Sequence, residues 1–534
     1  MRRFSSYGPI NTKLHYYAPR KELLNKAYTQ LRGENPEEGG HYITVWAPRQ
    51  TGKSWTLKET VFRLREDKRF DVIVLSVEYL KTEKNVSTIL RSVGNRILEK
   101  LDKKTFETST PEKFQKIFRK DFLSKPLILI LDEFDALEED AISTFAGIFR
   151  DCYNDRLYQA DRSTEEKDYL LHSVALTGVR TVLGIENKQG SPFNVQRSLH
   201  IQNLTYNEVE EMFKWYERES GQKFEKQALD LLYYETNGQP GLIGWFGELL
   251  TEGWEDVIPE KDKPITMDNF KEAAAAARSI LPNSNILNII SKAKQDPYKQ
   301  MVLDMFRTDE KIQFEHNKTV HNFLYMNGVI EIEKVSKTEY YAKFPCPFVQ
   351  RCLFSYFSGE IFDEMGRLHD PFADLDDAVT RTHINIKNIM KLYSRYLMDN
   401  RKWLLKDVPR RSDLRIFEAV FHFNLYKYLD NFFHNKEGQV IPEFPTGNGK
   451  INIIIIKYAG KIYGLELKTY RDNPGYKKAL KKAAQYGQQL KLEEISLIFF
   501  IESIKDEIRE KYEAVYFDQK TKVKVVPIFV ETGN

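Results

Sequence analysis

Runs of apolar residues alternate with amphipathic segments along the N-terminal part of the chain. Four runs have the length and composition of buried strands: His41–Trp46, Asp71–Val77, Pro126–Leu131 and Ser173–Thr177. The segments between them, such as Trp55–Arg65, place apolar residues at helical spacing. Strands that alternate with helices in this way are typical of a parallel sheet covered by helices. The pattern therefore predicts an α/β fold here.

The pattern becomes helical after this part. Thr205 begins a Thr-x-x-Glu capping box before a helix that runs to about Ser220. A second helix, Gln227–Thr236, ends near Gly238, and Pro240 starts the next one. We therefore expect a helical subdomain to follow the sheet.

A small α/β pattern occupies residues 297–347. Tyr298–Phe306 and Val320–Gly328 have helical spacing, and a β-hairpin is predicted for Val329–Ile332 with Tyr340–Phe344. Asp370–Lys402 then predicts a helical spacer.

The C-terminal part returns to an α/β pattern. It consists of a helix, a loop rich in glycine, two strands joined by a turn, a helix rich in lysine and a further buried strand. The segments are Leu414–Phe432, Pro442–Lys450, Ile451–Ile456, Ile462–Lys468, Tyr476–Lys491 and Ile495–Ile501.

Length and composition extend this picture to several cores. At about 150 residues per domain, the 534 residues predict three or four domains, and 41% hydrophobic residues exclude a disordered chain. The three cysteines are too few for a disulfide framework and favour a reducing compartment. A secretory signal and a membrane-spanning run are absent from the sequence pattern, so a soluble, cytoplasmic protein is expected.

The loop after the first strand, Ala47–Ser54, reads APRQTGKS, the Walker A pattern with alanine in place of the first glycine. Small residues let backbone N–H groups surround phosphates, and the following helix N-terminus adds its positive dipole. Lys53 is expected to reach the β- and γ-phosphates, and Ser54 to hold Mg²⁺. The other cofactor-binding residues predicted in the loop are Pro48, Arg49, Gln50, Thr51 and Gly52.

The third strand delivers acids at its end, as a Walker B element does. Asp132 is expected to bind Mg²⁺ through water, and Glu133 to polarise the attacking water. Thr177 ends the fourth strand and is a candidate sensor of the γ-phosphate, although β-propensity alone also explains a threonine there. Arg180 is either an anion contact or a surface charge.

Together, the leader Pro19–Leu23, both Walker motifs, Thr177 and Gly238-x-Pro240 resemble AAA+-related ATPases of the STAND and archaeal-ATPase kind. The resemblance covers about residues 15–285 and implies ATP with Mg²⁺ as cofactors. It also implies that Arg20 and Pro240 lie beside the nucleotide. Residues 297–347 resemble the winged-helix domain that follows the lid in the same family. Winged helices can read DNA, but the second helix here has no Arg or Lys for such contacts, which favours a packing and relay domain.

The C-terminal pattern ends its hairpin in Glu-x-Lys and resembles the PD-(D/E)XK nuclease superfamily, more narrowly the nuclease-like domain fused to prokaryotic AAA ATPases. The resemblance implies a restriction-endonuclease-like α/β domain in which Glu466 binds metal and Lys468 activates water or stabilises charge. Glu418 would be an auxiliary acid. Asn452 stands where the family has a metal-binding aspartate, and an amide is a poor ligand for a hard cation.

Charge supports a nucleic-acid role in this part more than in the whole chain. The formal net charge of the chain is +3, while residues 411–534 alone hold 20 Lys and Arg against 16 Asp and Glu. Four lysines of the predicted helix are candidate phosphate contacts, although a solvated face is the alternative: Lys477, Lys478, Lys481 and Lys482.

The predicted domains are an N-terminal leader (1–40), a P-loop ATPase core (41–205), a helical lid (206–285), a winged helix (286–362), a helical linker (363–410) and a nuclease-like domain (411–534). The leading hypothesis is an ATP-driven or ATP-gated nuclease acting on nucleic acid, with a role in prokaryotic defence implied by the resemblance alone. The alternatives are a regulatory ATPase whose nuclease-like domain only binds DNA or a protein partner, and a nucleotide-locked scaffold. A homo-oligomer, a monomer and a partner-held state are all open.

Overall fold

The computed structural model describes residues 1–8, 10–178, 197–253, 259–307, 311–361, 378–380, 382–404, 418–433, 438–443 and 453–533. The chain divides into two compact units. The first contains residues 1–292 and 315–329, and the second contains residues 293–314 and 330–534. The finer domain boundaries expected from the sequence stay predictions.

The first unit is built around a sheet with helices on both faces. Its strands are β1 (Tyr42–Trp46), β2 (Asp71–Ser76), β3 (Leu127–Asp132), β4 (Leu171–Gly178) and β5 (Arg197–His200). The helices in or near the sheet are α1 (Lys21–Arg32), α2 (Lys53–Glu66), α3 (Val86–Lys100), α4 (Pro111–Gln115) and α5 (Glu139–Tyr158). The helices that follow are α6 (Tyr206–Ser220), α7 (Lys226–Thr236), α8 (Pro240–Glu248), α9 (Met267–Ser279), α10 (Ser284–Ala293) and α12 (Thr319–Met326).

All strand pairs of this sheet are parallel, in the order β2-β3-β4-β1-β5. The apolar residues of β3 are buried on both faces. Leu129 and Leu131 lie in the core with α3, α4 and α5, whereas Ile128 and Ile130 lie in the core with α1 and α2. The predicted parallel sheet is confirmed. The short strand β5 was not predicted, because its few residues carry no apolar run.

The helical part begins as the sequence predicts. Thr205 and Glu208 form a reciprocal capping box at the start of α6. Asn237 and Gly238 take left-handed conformations after α7, with φ of 47° and 67°, and Pro240 opens α8.

The second unit contains a hairpin and a larger mixed sheet. Its helices are α11 (Tyr298–Arg307), α13 (Pro347–Ile361), α14 (Ile386–Leu404), α15 (Glu418–Phe433), α16 (Asn473–Gln489) and α17 (Asp506–Tyr512). The hairpin pairs β6 (Glu331–Lys334) with β7 (Tyr340–Lys343). The sheet strands are β8 (Gln439–Glu443), β9 (Ile453–Tyr458), β10 (Lys461–Thr469), β11 (Glu494–Ile501), β12 (Tyr516–Phe517) and β13 (Lys524–Glu531).

This sheet has the strand order β12-β13-β11-β10-β9-β8. Strands β8, β9 and β10 form an antiparallel meander, and β10, β11 and β13 are parallel. Helix α16 covers one face, where Leu480 and Ala484 pack against Leu497 and Phe499. Helix α15 lies on the other face, where Phe421 stacks on Phe500. The lid, winged-helix and nuclease-like identities of these parts stay predictions.

Two predicted segments are wrong in detail. The helical spacer was expected from residue 370; residues 370–377 and 381 lie outside the described residues, residues 378–380 and 382–385 are not helical, and the described helix begins at Ile386. Before it, the Thr380 N–H donates to the His383 carbonyl oxygen at 2.9 Å, and the Thr380 hydroxyl accepts from the His383 N–H at 3.1 Å. These turn bonds compete with helix formation. Pro442 and Glu443 were expected in a loop but belong to β8. This strand lies at the edge of the sheet, where a proline, which has no N–H to donate, is tolerated.

Within the residues that the structure describes, no helix is long and apolar enough to cross a bilayer.

His172 on β4 makes the stability of the first unit sensitive to acid. The ring is fully buried, its Nε2 lies 2.9 Å from the Arg32 carbonyl oxygen and its Nδ1 lies 3.2 Å from the Thr164 hydroxyl. Burial, and after it nearby cationic side chains such as Arg156, lower its pKa to about 3. The unfolded chain takes up this proton below about pH 6.5, while the folded chain does so only near pH 3.

We expect the free energy of unfolding to fall as the pH drops from about 6.5 towards 3, by up to about 1.4 kcal/mol per pH unit from this group. In His172→Gln this part of the slope should disappear, although the variant is less stable at neutral pH. Urea unfolding between pH 7 and 4.5 measures the slope, and the exposed His316→Gln serves as the control. Equal slopes for wild type and His172→Gln would contradict the assignment.

Candidate functional site

The loop between β1 and α2 makes a tight turn of backbone before the helix. Gln50 and Gly52 have left-handed conformations, with φ of 58° and 92°. The Thr51 hydroxyl donates to the Pro48 carbonyl oxygen at 2.8 Å and closes the turn. Gly52 caps α2, because glycine adopts such a φ without strain. The loop therefore leads directly into a helix N-terminus, which favours anions.

The ends of β3 and β4 lie side by side at the same edge of the sheet. The Thr177 hydroxyl donates to Oδ1 of Asp132, and the Glu133 N–H donates to the same oxygen at 3.0 Å. Both bonds use Oδ1, so Oδ2 is the oxygen that can accept from a metal-bound water. Thr177 thus fixes the Asp132 carboxylate, a contact that the sequence order alone does not reveal.

Glu133 is held in a left-handed conformation, with φ of 56°, directly after Asp132. Burial, followed by the neighbouring carboxylates of Glu78 and Asp132, raises the pKa of Glu133 to about 7, while the charge of Lys53 acts in the opposite direction. A carboxylate with a pKa near neutrality is suited to accept a proton from water. Glu78 follows β2 and was not predicted as part of the site.

Lys53 and Glu133 face a common cleft of about 1040 Å³. Its walls come from the P-loop, the segment after β2, the start of α5, the start of α10 and the turn after α12. The residues predicted from sequence that line it are Arg49, Gln50, Lys53 and Glu133, and those that sequence reasoning missed include Glu78, Ser284, Asn285, Lys292 and Asn327. The missed residues carry no local motif, since distant segments bring them together.

Arg20 and the start of α8 contact the P-loop itself. Arg20 is nearly buried and donates to the carbonyl oxygens of Thr51 at 3.2 Å and Gln202 at 2.5 Å. At the start of α8, which Pro240 opens, the Gly241 N–H donates to the Gln50 carbonyl oxygen at 2.9 Å. These described contacts support the loop, and a direct contact of either residue with the nucleotide stays a prediction.

The residues present fit a nucleotide with Mg²⁺. Ser54 is exposed in the first turn of α2, and Asp132 offers Oδ2. Among the residues that the structure describes, no group of three or more His, Cys, Asp and Glu could hold a metal alone. One hydroxyl and one carboxylate, those of Ser54 and Asp132, suit a cation that also binds phosphate oxygens. Arg180 lies outside the described residues.

In the second unit, Glu466 and Lys468 occupy β10 two residues apart and so point to the same side of the sheet. Glu466 is fully buried, and Lys468 Nζ lies 3.6 Å from its Oε1. Neither carboxylate oxygen accepts a hydrogen bond within the described parts of the chain. Burial raises the pKa of Glu466 to about 7, against the opposing charges of Lys468 and Lys482.

The other predicted metal ligands of this unit cannot be placed beside Glu466. Asn452 lies outside the described residues, and Glu418 begins α15 without a described side chain. The residue opposite Glu466 on β9 is the apolar Ile453. The described residues thus bring together one acid and two lysines, and the roles of Asn452 and Glu418 stay predictions.

The structure separates the four lysines of α16. Lys477, Lys478 and Lys481 are exposed. Lys482 is half-buried, with Nζ 5.4 Å from the centre of the Tyr486 ring, and its charge acts on Glu466. Three lysines are therefore available to phosphates on the surface, and the fourth belongs to the surroundings of Glu466.

Residues 5–246, just under half of the 534-residue chain, match the family model of an AAA-like domain. Together with the Walker geometry, this match identifies an AAA-like P-loop ATPase domain, so the predicted ATPase is confirmed. No curated protein matches the chain.

Several solved structures are similar to this chain at low identity. One is the Walker-type ATPase of Pyrococcus abyssi, with 15% identity, a TM-score of 0.41, and coverage of 66% of this chain and 99% of that one. Another is the Aeropyrum pernix ORC1 protein in complex with DNA, with 12% identity, a TM-score of 0.31, and coverage of 63% and 92%. A third is the RuvB Holliday junction branch migration motor of Thermotoga maritima, with 12% identity, a TM-score of 0.33, and coverage of 61% and 92%.

We expect Glu133→Gln to lower ATP turnover by roughly 10²- to 10⁴-fold, because an amide cannot accept the proton of the attacking water. ATP binding should persist, since Lys53 and the loop are unchanged. Steady-state phosphate release and equilibrium binding of a fluorescent ATP analogue measure the two effects. Glu138→Gln, an exposed glutamate in the same cleft, should retain turnover. A Glu133→Gln protein with wild-type turnover would remove Glu133 from the catalytic role.

Proposed function

We propose that the chain is an ATPase whose nucleotide state controls a nuclease-like C-terminal unit acting on nucleic acid. The observation that carries the proposal is the buried Glu466–Lys468 pair, on a second α/β sheet in the same chain as a complete Walker site. A buried carboxylate without hydrogen-bond donors is costly unless it serves a ligand.

In the first unit, Lys53 and the loop N–H groups would bind the phosphates, and Ser54 with Asp132 would hold Mg²⁺. The Mg²⁺ ion would supply neutralisation of the charge that develops on the phosphate oxygens. Glu133 would orient water and take its proton, and Glu78 would hold the Glu133 carboxyl between turnovers. Thr177 would keep the Asp132 carboxylate in place.

In the second unit, Glu466 would bind a divalent cation, and Lys468 would stabilise negative charge at the scissile phosphate. Asn452 and Glu418 are the further ligands that the sequence pattern supplies. Nucleic acid, DNA in the first instance, would approach over the exposed lysines of α16. A defence role, a cytoplasmic location and a homo-oligomeric or partner-held assembly belong to this proposal as well.

A second candidate function is binding without cleavage. The specific observation in its favour is Ile453, which faces Glu466 across the ladder where a second acid would assist a metal. In that case Lys468 and Lys482 would contribute to a binding surface above the buried Glu466, and the ATPase would regulate access to it.

Cleavage of DNA separates these candidates. We expect wild type with Mg²⁺ and ATP to cut plasmid or single-stranded DNA, and Glu466→Gln to lose this activity because the amide does not bind the cation. Asn452→Asp should raise the rate by adding a carboxylate. Glu494→Gln, an exposed glutamate of β11, is the matched control. If neither wild type nor Asn452→Asp cuts any substrate while both hydrolyse ATP, the binding function stands instead.

The lysines of α16 should determine how binding depends on salt. Replacing Lys477, Lys478 and Lys481 together by Gln removes up to three phosphate contacts, each of which contributes about 0.7 to 0.9 to the slope of log K against log salt. Affinity should fall and the slope should flatten by about two to three. Lys100, Lys103 and Lys104, exposed in the first unit, provide the matched triple-Gln control. An unchanged slope would place the nucleic acid elsewhere.

A further inference from the structure

Five aromatic rings cluster at the carboxyl end of β10 and the start of α16. Their neighbouring ring centres lie between 4.9 and 6.5 Å apart. Two are buried phenylalanines, and the other three are tyrosines that keep part of their surface exposed. We call this set the tyrosine cluster: Tyr470, Tyr476, Phe499, Tyr512 and Phe529.

The tyrosine cluster follows Glu466 and Lys468 along the same strand. Side chains on a strand alternate, so Glu466, Lys468 and Tyr470 project to the same side, with about 6.6 Å between successive members. The Tyr470 N–H donates to the Phe500 carbonyl oxygen at 2.9 Å, which extends the β10–β11 ladder to this residue. Tyr470 meets Phe499 and Phe529 at 6.1 and 5.6 Å between ring centres. The order along the strand is therefore a buried acid, a half-buried cation and a partly exposed aromatic ring.

Positive charge borders the cluster on the α16 side. Four cationic side chains are exposed there. Arg471 precedes α16, and the other three lie in the first turns of the helix: Lys477, Lys478 and Lys481. The acid of this segment, Asp472, caps α16 by accepting from the Gly475 N–H at 2.6 Å. Helix α17 contributes Tyr512 and carries exposed acids, including Asp506 and Glu510, so the surface suited to phosphates runs along α16.

We propose that the tyrosine cluster is a stacking platform for the bases of single-stranded nucleic acid, with the phosphates following the lysines of α16. The inference rests on the proposed action of this unit on nucleic acid and specifies the substrate class. Aromatic faces beside a basic surface are the elements by which proteins bind single strands. A duplex keeps its base faces stacked inside the helix, whereas unpaired bases can turn outward onto aromatic side chains.

Fluorescence anisotropy on the full-length protein tests the platform. The probes are a labelled 20-nucleotide DNA strand and its duplex, with Ca²⁺ in place of Mg²⁺, each with and without a non-hydrolysable ATP analogue. We expect the single strand to bind more tightly than the duplex in at least one nucleotide state. Tyr470→Ala should weaken single-strand binding about fivefold to hundredfold, the range of one lost stacking contact. Tyr470→Phe, which keeps the ring, should stay within about twofold of wild type.

Two further variants guard against a folding artefact. Tyr470→Leu keeps apolar packing but lacks an aromatic face, and should weaken binding as Tyr470→Ala does. Tyr463→Ala removes a half-buried tyrosine from the same strand on the opposite side of the sheet, and should leave binding unchanged. Thermal unfolding followed by circular dichroism confirms that the second unit of each variant is folded.

Equal losses in Tyr470→Phe and Tyr470→Ala would overturn the platform, as would wild-type binding by Tyr470→Leu. Tighter binding of the duplex than of the single strand in both nucleotide states would also overturn it, yet would leave the proposed function intact. Binding of neither probe in either state would overturn both proposals.

Discussion

The parallel pairing of β4 between β1 and β3 is the constraint on which the ATPase site depends. It brings three segments that are far apart in sequence to one edge of the sheet: the P-loop after β1, the acids after β3 and Thr177 at the end of β4. The pairing is stable because β3 is apolar on both faces and is covered by helices on both sides. Without β4 in this place, the Thr177 hydroxyl could not hold the Asp132 carboxylate.

In both units burial raises the pKa of a glutamate to about 7, but the charges beside the two glutamates differ. Glu133 lies beside other carboxylates, which add to the effect of burial, whereas Glu466 lies beside lysines, which oppose it. A glutamate beside other carboxylates has a raised pKa and can therefore exchange a proton near neutral pH. A glutamate beside lysines is held in its charged form once a cation binds to it. The two environments thus fit proton transfer in the first unit and ligand binding in the second.

Sequence alone identified the parts of the fold that local patterns determine. The four long strands, the capping box at Thr205 and both Walker motifs each have a signal within a few residues. It did not find Glu78, Ser284 or Asn327 at the cleft, because tertiary contacts alone bring them there. It misjudged residues 378–380 and 382–385, where hydrogen bonds of Thr380 form a turn in place of a helix, and Pro442, which an edge strand tolerates. Its expectation of Asn452 beside Glu466 concerns a position outside the described residues.

The contact between the P-loop and α8 has a mechanical consequence. The Gly241 N–H bonds the Gln50 carbonyl oxygen, and a Cβ atom at Gly241 would lie only 2.6 Å from the Cβ of Gln50. Gln50 therefore touches the start of α8 in two ways, through this backbone hydrogen bond and through its own side chain, which packs against Gly241 where only a hydrogen atom leaves room for it. A movement of the P-loop at Gln50 would therefore act directly on the first turn of α8.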